Sequence, residues 1–251
     1  MRSEELPAYF DELDAWAAAR PLPHEAIAYG AHPDQVLDLR LPTGTARRLA
    51  FVLHGGFWRA PYTRRNTTAL AVALTERGWA TANVEYRRLG PGGWRPMLDD
   101  VLAARRALTA FERVVAVGHS AGGHLALWLA AEGGVDGVVA LGGVCDLVAA
   151  ADAGLGNGAV QELLGGSPAD AVDAYAVADP AARLPLRVAQ RLVHGRADDR
   201  VPISHAESYA ERARAAGDDC RVVALDTGHF EVIDPRSDAW TTVAETAASL
   251  A

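Results

Sequence analysis

Short apolar runs alternate with stretches of helical spacing along most of this chain. Arg48–Leu53 (RLAFVL) has the look of a buried strand and runs into His54-Gly55-Gly56. Helical spacing over residues 64–77 stops at Gly78. Residues 80–86 (ATANVEY) form the next predicted strand, and Pro91-Gly92-Gly93 breaks the chain after it. A helix over 96–109 opens on proline in its first turn, with Leu98, Val101, Leu102 and Arg105 at helical spacing. Further strands are predicted at 113–117 (RVVAV), 136–141 (DGVVAL), 188–193 and 221–225, and helices at 121–131, 204–216 and 237–250.

Strand alternating with helix implies parallel strands joined by right-handed crossovers, with helices on both faces of the sheet. Unbroken apolar strands such as FVL and VVAV suit a sheet covered on both sides. The N-terminal part differs: residues 5–20 resemble an amphipathic helix, and 26–41 an antiparallel hairpin at the sheet edge. Residues 145–184 are rich in Gly, Ala and Asp and show no clear strand, with one helix expected at 159–164. This stretch is expected to be a small cap or loop excursion, leaving 1–251 as a single α/β domain. No repeat or low-complexity linker interrupts it.

Composition narrows the function. Half of the 251 residues are hydrophobic, and the formal net charge is -8. An acidic balance argues against a nucleic-acid surface, which needs a basic stripe. The two cysteines, Cys145 and Cys220, have no metal-ligand spacing and cannot make a disulfide scaffold. The N-terminus carries acids where a signal peptide has an apolar core, and no apolar run reaches membrane-spanning length. A cytoplasmic protein without a membrane partner is expected. Glycines 55, 56, 122 and 123 do not form a phosphate loop, because no Lys-Ser/Thr follows them. No cofactor and no metal are expected.

The strongest chemical signal is Gly118-His119-Ser120-Ala121-Gly122, between a predicted strand and a predicted helix. That is G-x-S-x-G in the strand–turn–helix context it requires. The turn lifts the Ser120 hydroxyl clear of the backbone at a helix N-terminus, where the Ala121 amide faces any oxyanion that forms. His54-Gly55-Gly56-Phe57-Trp58 also follows a strand, and its glycines let backbone amides turn inward. Gly56 and Phe57 are the expected further oxyanion donors. His54 is expected to orient the loop and not to act as a base.

A serine nucleophile needs a base, and the base needs an orienter. His229, in Asp226-Thr227-Gly228-His229-Phe230, follows the last predicted strand on the same edge as Ser120. His119 and His124 flank the nucleophile but point away from its hydroxyl, and His194 ends a strand and holds a loop. His24, His32 and His205 have the character of surface residues. The acid is expected between serine and histidine in chain order. Asp198 heads the candidates, with Asp199 beside it and Asp146 after the preceding strand. Asp146 also suits a helix N-cap before Leu147.

The segments HGGFW (54–58), VEYRR (84–88), GHSAGGHLA (118–126), HGRADDRVP (194–202) and TGHFEVIDP (227–235) resemble the α/β-hydrolase superfamily, and within it the esterase and kynurenine-formamidase-like group. The resemblance implies an α/β-hydrolase fold, a Ser120–Asp198–His229 triad and an oxyanion hole of Gly56, Phe57 and Ala121. Lipases of the hormone-sensitive type carry a third glycine where this chain has Phe57. Trp58 and Trp94 are candidates for an apolar substrate pocket, and the charges of Glu85, Arg87 and Arg88 for loop-fixing ion pairs. The expected function is hydrolysis of a small ester or amide with short acyl groups, through an acyl-enzyme. Kynurenine formamidase is the alternative. A prolyl-oligopeptidase-like peptidase and a non-catalytic ligand-binding module stand further back.

Overall fold

The computed structural model describes residues 3–20, 22–60, 62–90 and 92–250. Helix α1 (Leu6–Ala18) precedes a hairpin of β1 (Glu25–Ala28) and β2 (Val36–Arg40). Then follow β3 (Arg48–Leu53), α2 (Thr68–Glu76), β4 (Ala80–Val84), α3 (Arg95–Arg106), β5 (Arg113–His119), α4 (Ala121–Ala131) and β6 (Gly137–Leu141). Helices α5 (Leu147–Asp152), α6 (Leu155–Leu164) and α7 (Val172–Ala178) come next. The chain closes with β7 (Ala189–Gly195), α8 (Ile203–Ala215), β8 (Cys220–Leu225) and α9 (Trp240–Ala248).

The eight strands make one sheet in the order β1-β2-β4-β3-β5-β6-β7-β8. The pairs β1–β2 and β2–β4 are antiparallel and the rest are parallel. The hairpin therefore sits at the edge, where the sequence reading puts it. Central strands are apolar on both faces because both are covered. Leu49, Phe51 and Leu53 of β3 face α3, α4 and α8, while Ala50 and Val52 face α2 and α9. Helix α4 lies wholly inside, with every residue from Ala121 to Ala130 buried. A helix apolar all round can be placed only in an interior. Helix α1 stacks outside α2 through Leu13, Ala17, Ala69 and Val72.

Residues 145–184 depart from expectation by being largely helical. Helices α5, α6 and α7 are six, ten and seven residues long, too short to show a clear period. Asp146 caps α5 by accepting from the Ala149 amide at 2.8 Å, the role its position suggested. Within α6, Gly156, Asn157 and Gly158 are left-handed. Regular helical geometry thus begins at 159, where the sequence pattern places it. Of the expected break at Pro91-Gly92-Gly93, Pro91 lies outside the described residues, and Gly92 and Gly93 form a turn into α3.

Candidate active site

Parallel strands align their carboxyl ends, and the loops that leave them converge on one edge. Strand β5 ends at His119, and Ser120 carries the chain into α4 with φ 53° and ψ -117°. A non-glycine residue holds such angles only where its surroundings over-determine them. Here the Ser120 amide donates to Leu141 O at 2.9 Å, and its carbonyl accepts from Gly123 and Val144 at 2.9 and 3.2 Å. The flanking glycines have a steric cause. A Cβ on Gly118 would fall 2.0 Å from Gly122 O, and one on Gly122 would fall 2.1 Å from Leu53 O.

The loop after β3 packs beside this turn. The His54 ring stacks on Tyr86 with centroids 4.2 Å apart. Its Nε2 lies 2.9 Å from Glu85 Oε1, its Nδ1 lies 2.8 Å from Gly55 O, and the Tyr86 hydroxyl donates to its carbonyl at 2.7 Å. With both ring nitrogens engaged, His54 orients the loop. Glu85 also accepts from the Arg64 amide at 3.0 Å and pairs with Arg88. Burial by itself would raise the Glu85 carboxyl, but His54, that amide and Arg88 bring it below its ordinary value. Gly56, Phe57 and Trp58 follow one another with φ of 113°, 54° and 59°. Among the described residues, no acceptor takes the amides of Gly56, Phe57 or Ala121.

Asp198 and His229 meet from two other loops, with His229 Nδ1 2.7 Å from Asp198 Oδ2. Their side chains are 0% and 4% exposed for Asp198 and His229 respectively. The other carboxylate oxygen accepts from the amides of Arg200 and Val201 at 2.9 and 2.8 Å. Burial would raise the Asp198 carboxyl, but hydrogen bonds from His194, His229 and the backbone hold it well below the usual carboxylate range. Asp199 turns out to solvent and pairs with Arg200 at 3.3 Å. Asp146 is occupied at the α5 cap and by Arg212. Neither is placed against His229.

The remaining histidines divide. His119 Nε2 donates to His229 O at 2.9 Å, its ring 4.7 Å from that of His229, and burial pushes it down to about 3. His124 contacts Ala178 O at 2.8 Å and is pushed down to about 4 by burial. His205 is not the surface residue its polar setting suggested. Its Nε2 accepts the amides of Cys145 and Asp146 at 3.1 and 3.2 Å, and burial lowers it to about 4. His194 holds its loop through Val201 O at 2.8 Å, and also reaches Asp198. Only the i,i+4 spacing of His194 and Asp198 hinted at that second contact.

Of the two tryptophans expected at a pocket, Trp58 is enclosed and Trp94 lines a cleft. Trp58 is 1% exposed, and its indole donates to His124 Nδ1 at 3.2 Å. A fused apolar ring with one donor is stabilised by burial once that donor is paired. Trp94 is buried at the start of α3, beside a cleft of about 400 Å³ shared with Arg95 and residues 170–174. None of Ser120, Asp198 or His229 lines that cleft. Phe57 is the aromatic that bridges to the cap: its ring occupies the space beside Gly156, and Arg59 pairs with Glu162 of α6.

The sequence model of the BD-FAE family, a family of α/β-hydrolases, matches residues 37–212, more than half of the chain. The chain belongs to the BD-FAE family. No curated protein matches this BD-FAE chain. Solved structures share its fold. Esterase B from Lactobacillus rhamnosis superposes with a TM-score of 0.77 at 18% identity, over 98% of this chain and 93% of that one. Thermogutta terrifontis esterase 2, phosphoramylated by tabun, superposes with a TM-score of 0.72 at 20% identity, over 92% and 94%. A bifunctional GH43-CE protein of Bacteroides eggerthii gives 0.77 at 20% identity. There the match takes in 90% of this chain but only 35% of the longer one. Family and fold together make this chain an α/β-hydrolase. Among the described residues, no helix is long and apolar enough to cross a membrane.

Proposed function

We propose that this BD-FAE protein hydrolyses small carboxylic esters through an acyl-enzyme on Ser120. The observation that carries the proposal is the buried 2.7 Å contact between Asp198 and His229, on the sheet edge where the strained Ser120 turn emerges. With its Nδ1 proton held by Asp198, His229 presents Nε2 as the base. Ser120 Oγ attacks the ester carbonyl and its proton passes to His229. The oxyanion is met by the amides of Gly56, Phe57 and Ala121. Collapse expels the alcohol, which takes the proton from His229. A water, deprotonated by the same imidazole, then releases the acid and restores Ser120.

Short acyl groups suit the cap, whose three helices are too small to shield a long chain. Among the structural neighbours, the Thermogutta terrifontis esterase is known bound to propionate, and the Lactobacillus enzyme inhibited by a C4 phosphonate. The Trp58 indole, buried and bonded to His124, is left out of the acyl pocket. Nothing in the family or the neighbours favours a formamidase.

The test pairs a fluorophosphonate probe with p-nitrophenyl esters of increasing chain length. Wild-type protein labels at Ser120 and turns over acetyl to butyryl esters, and Ser120→Ala does neither. Loss of a triad serine is worth at least about 10⁴-fold in turnover. Ester hydrolysis by Ser120→Ala within tenfold of wild type would overturn the proposal.

A further inference from the structure

A second imidazole stands beside the carboxylate of Asp198. His229 Nδ1 reaches Oδ2 at 2.7 Å, and His194 Nε2 stands 3.3 Å from the same oxygen. His194 lies at the end of β7, four residues before Asp198, and its side chain is fully buried. Its Nε2 also faces Val201 O at 2.8 Å. A ring nitrogen placed between a carbonyl and a carboxylate must carry the proton, because both neighbours only accept. The opposite nitrogen, Nδ1, is buried without a hydrogen-bond partner. A buried polar atom without a partner is disfavoured, so this ring is held by its Nε2 side alone.

We propose that His194 is a positioning residue of the triad: its Nε2–H is a second donor to Asp198 Oδ2 and fixes the carboxylate in line with His229. The inference rests on the ester-hydrolase function proposed above. The loop from 196 to 202 is then tied at both ends of the same carboxylate. The Arg200 and Val201 amides hold Oδ1, while His194 holds Oδ2 and, through Val201 O, the far side of the turn. The consequence is rotational. Without His194, Oδ2 keeps a single partner, and the carboxylate can swing about its Cβ–Cγ bond.

The titratable groups around this centre are few. His194 faces Asp198 from β7, His229 from the loop after β8, His119 packs on His229 from the end of β5, and His205 of α8 lies within electrostatic reach of His194. His194 is among the groups that hold the Asp198 carboxyl low, and a donor removed from a carboxylate makes it more basic, so the acid limb of the activity moves to higher pH.

Two substitutions separate positioning from packing. His194→Gln keeps an amide N–H near the position of Nε2, whereas His194→Asn puts its amide near Nδ1. With p-nitrophenyl acetate, His194→Asn is expected to lose about ten- to a hundredfold in kcat, the scale of one charge-assisted hydrogen bond. KM should stay within threefold and the acid limb should rise. His194→Gln should keep kcat within about threefold and the wild-type limb. A His194→Asn enzyme with wild-type kcat and pH profile overturns the inference, as do equal losses in both variants without a shifted limb. If neither variant folds, ¹⁵N-histidine spectra of the wild-type protein decide. A proton on Nε2 of His194 whose resonance moves in Asp198→Asn supports the inference, and a proton on Nδ1, or an Nε2 proton indifferent to Asp198→Asn, overturns it. Fluorophosphonate labelling of Ser120 in each variant keeps the two proposals apart. Wild-type protein that neither labels nor hydrolyses esters refutes the function itself.

Discussion

His54 Nε2 and Glu85 Oε1 lie 2.9 Å apart, with 0% and 3% of their side chains exposed. The contact joins the ends of two adjacent parallel strands, β3 and β4, and with them the loop that carries Phe57. Breaking one partner of such a buried pair leaves the other uncompensated, at a cost of about 3–5 kcal/mol. Glu85→Ala is therefore expected to lower stability by that order in urea unfolding. Glu85 titrates below its ordinary value when folded. Its contribution is thus full above the unfolded carboxyl pKa and lost as pH falls through the folded one. The gap between wild type and Glu85→Gln should narrow on acidification, and a gap that widens would contradict this account.

Gly142 packs against the Asp198–His229 contact. It has φ +54°, and a Cβ there would come 3.1 Å from His229 Nδ1 and 3.2 Å from Asp198 Oδ2. Gly142→Ala should therefore cost kcat more than stability. Strain at positive φ is worth about 1 kcal/mol, whereas displacement of the imidazole acts on every turnover. Kinetics and thermal melts on one preparation check this. A variant with wild-type kcat would show that the contact tolerates the added methyl group.

Phe57→Ala retains the backbone amide but removes the ring wedged beside Gly156. If the ring is the wall that limits acyl length, kcat/KM for hexanoyl relative to acetyl esters should rise severalfold. Equal falls for all chain lengths would assign Phe57 to holding the loop alone.

Stability should decline on mild acidification. His119, His124 and His205 are pushed down by burial to about 3, 4 and 4 when folded, against about 6.5 unfolded. Between pH 6.5 and about 4 the unfolded chain takes up protons that the folded chain refuses, and each such proton favours unfolding. Asp179, raised by burial to about 6, and Asp14, also raised by burial, work in the opposite sense, but they are two groups against three. Urea unfolding at pH 7.5 and pH 5 should give a smaller free energy at pH 5. A flat profile would mean that these rings are hydrated in solution.

Sequence alone determined most of the strands, their parallel pairing through helical crossovers and the turn at Ser120. Those features are local: β3 and β5 announce themselves by unbroken apolar runs, and α4 by its place after G-x-S-x-G. Tertiary structure alone decided which carboxylate meets His229, because Asp198 and Asp199 are neighbours in the chain and differ only in the direction each side chain takes. It likewise decided that Trp58 faces inward to His124 and that His205 accepts two amides at the start of α5. It also determined that His194 shares the carboxylate of Asp198. Each of these depends on a partner from a distant segment or on a single rotamer, and burial selects among rotamers only once the surrounding elements are packed.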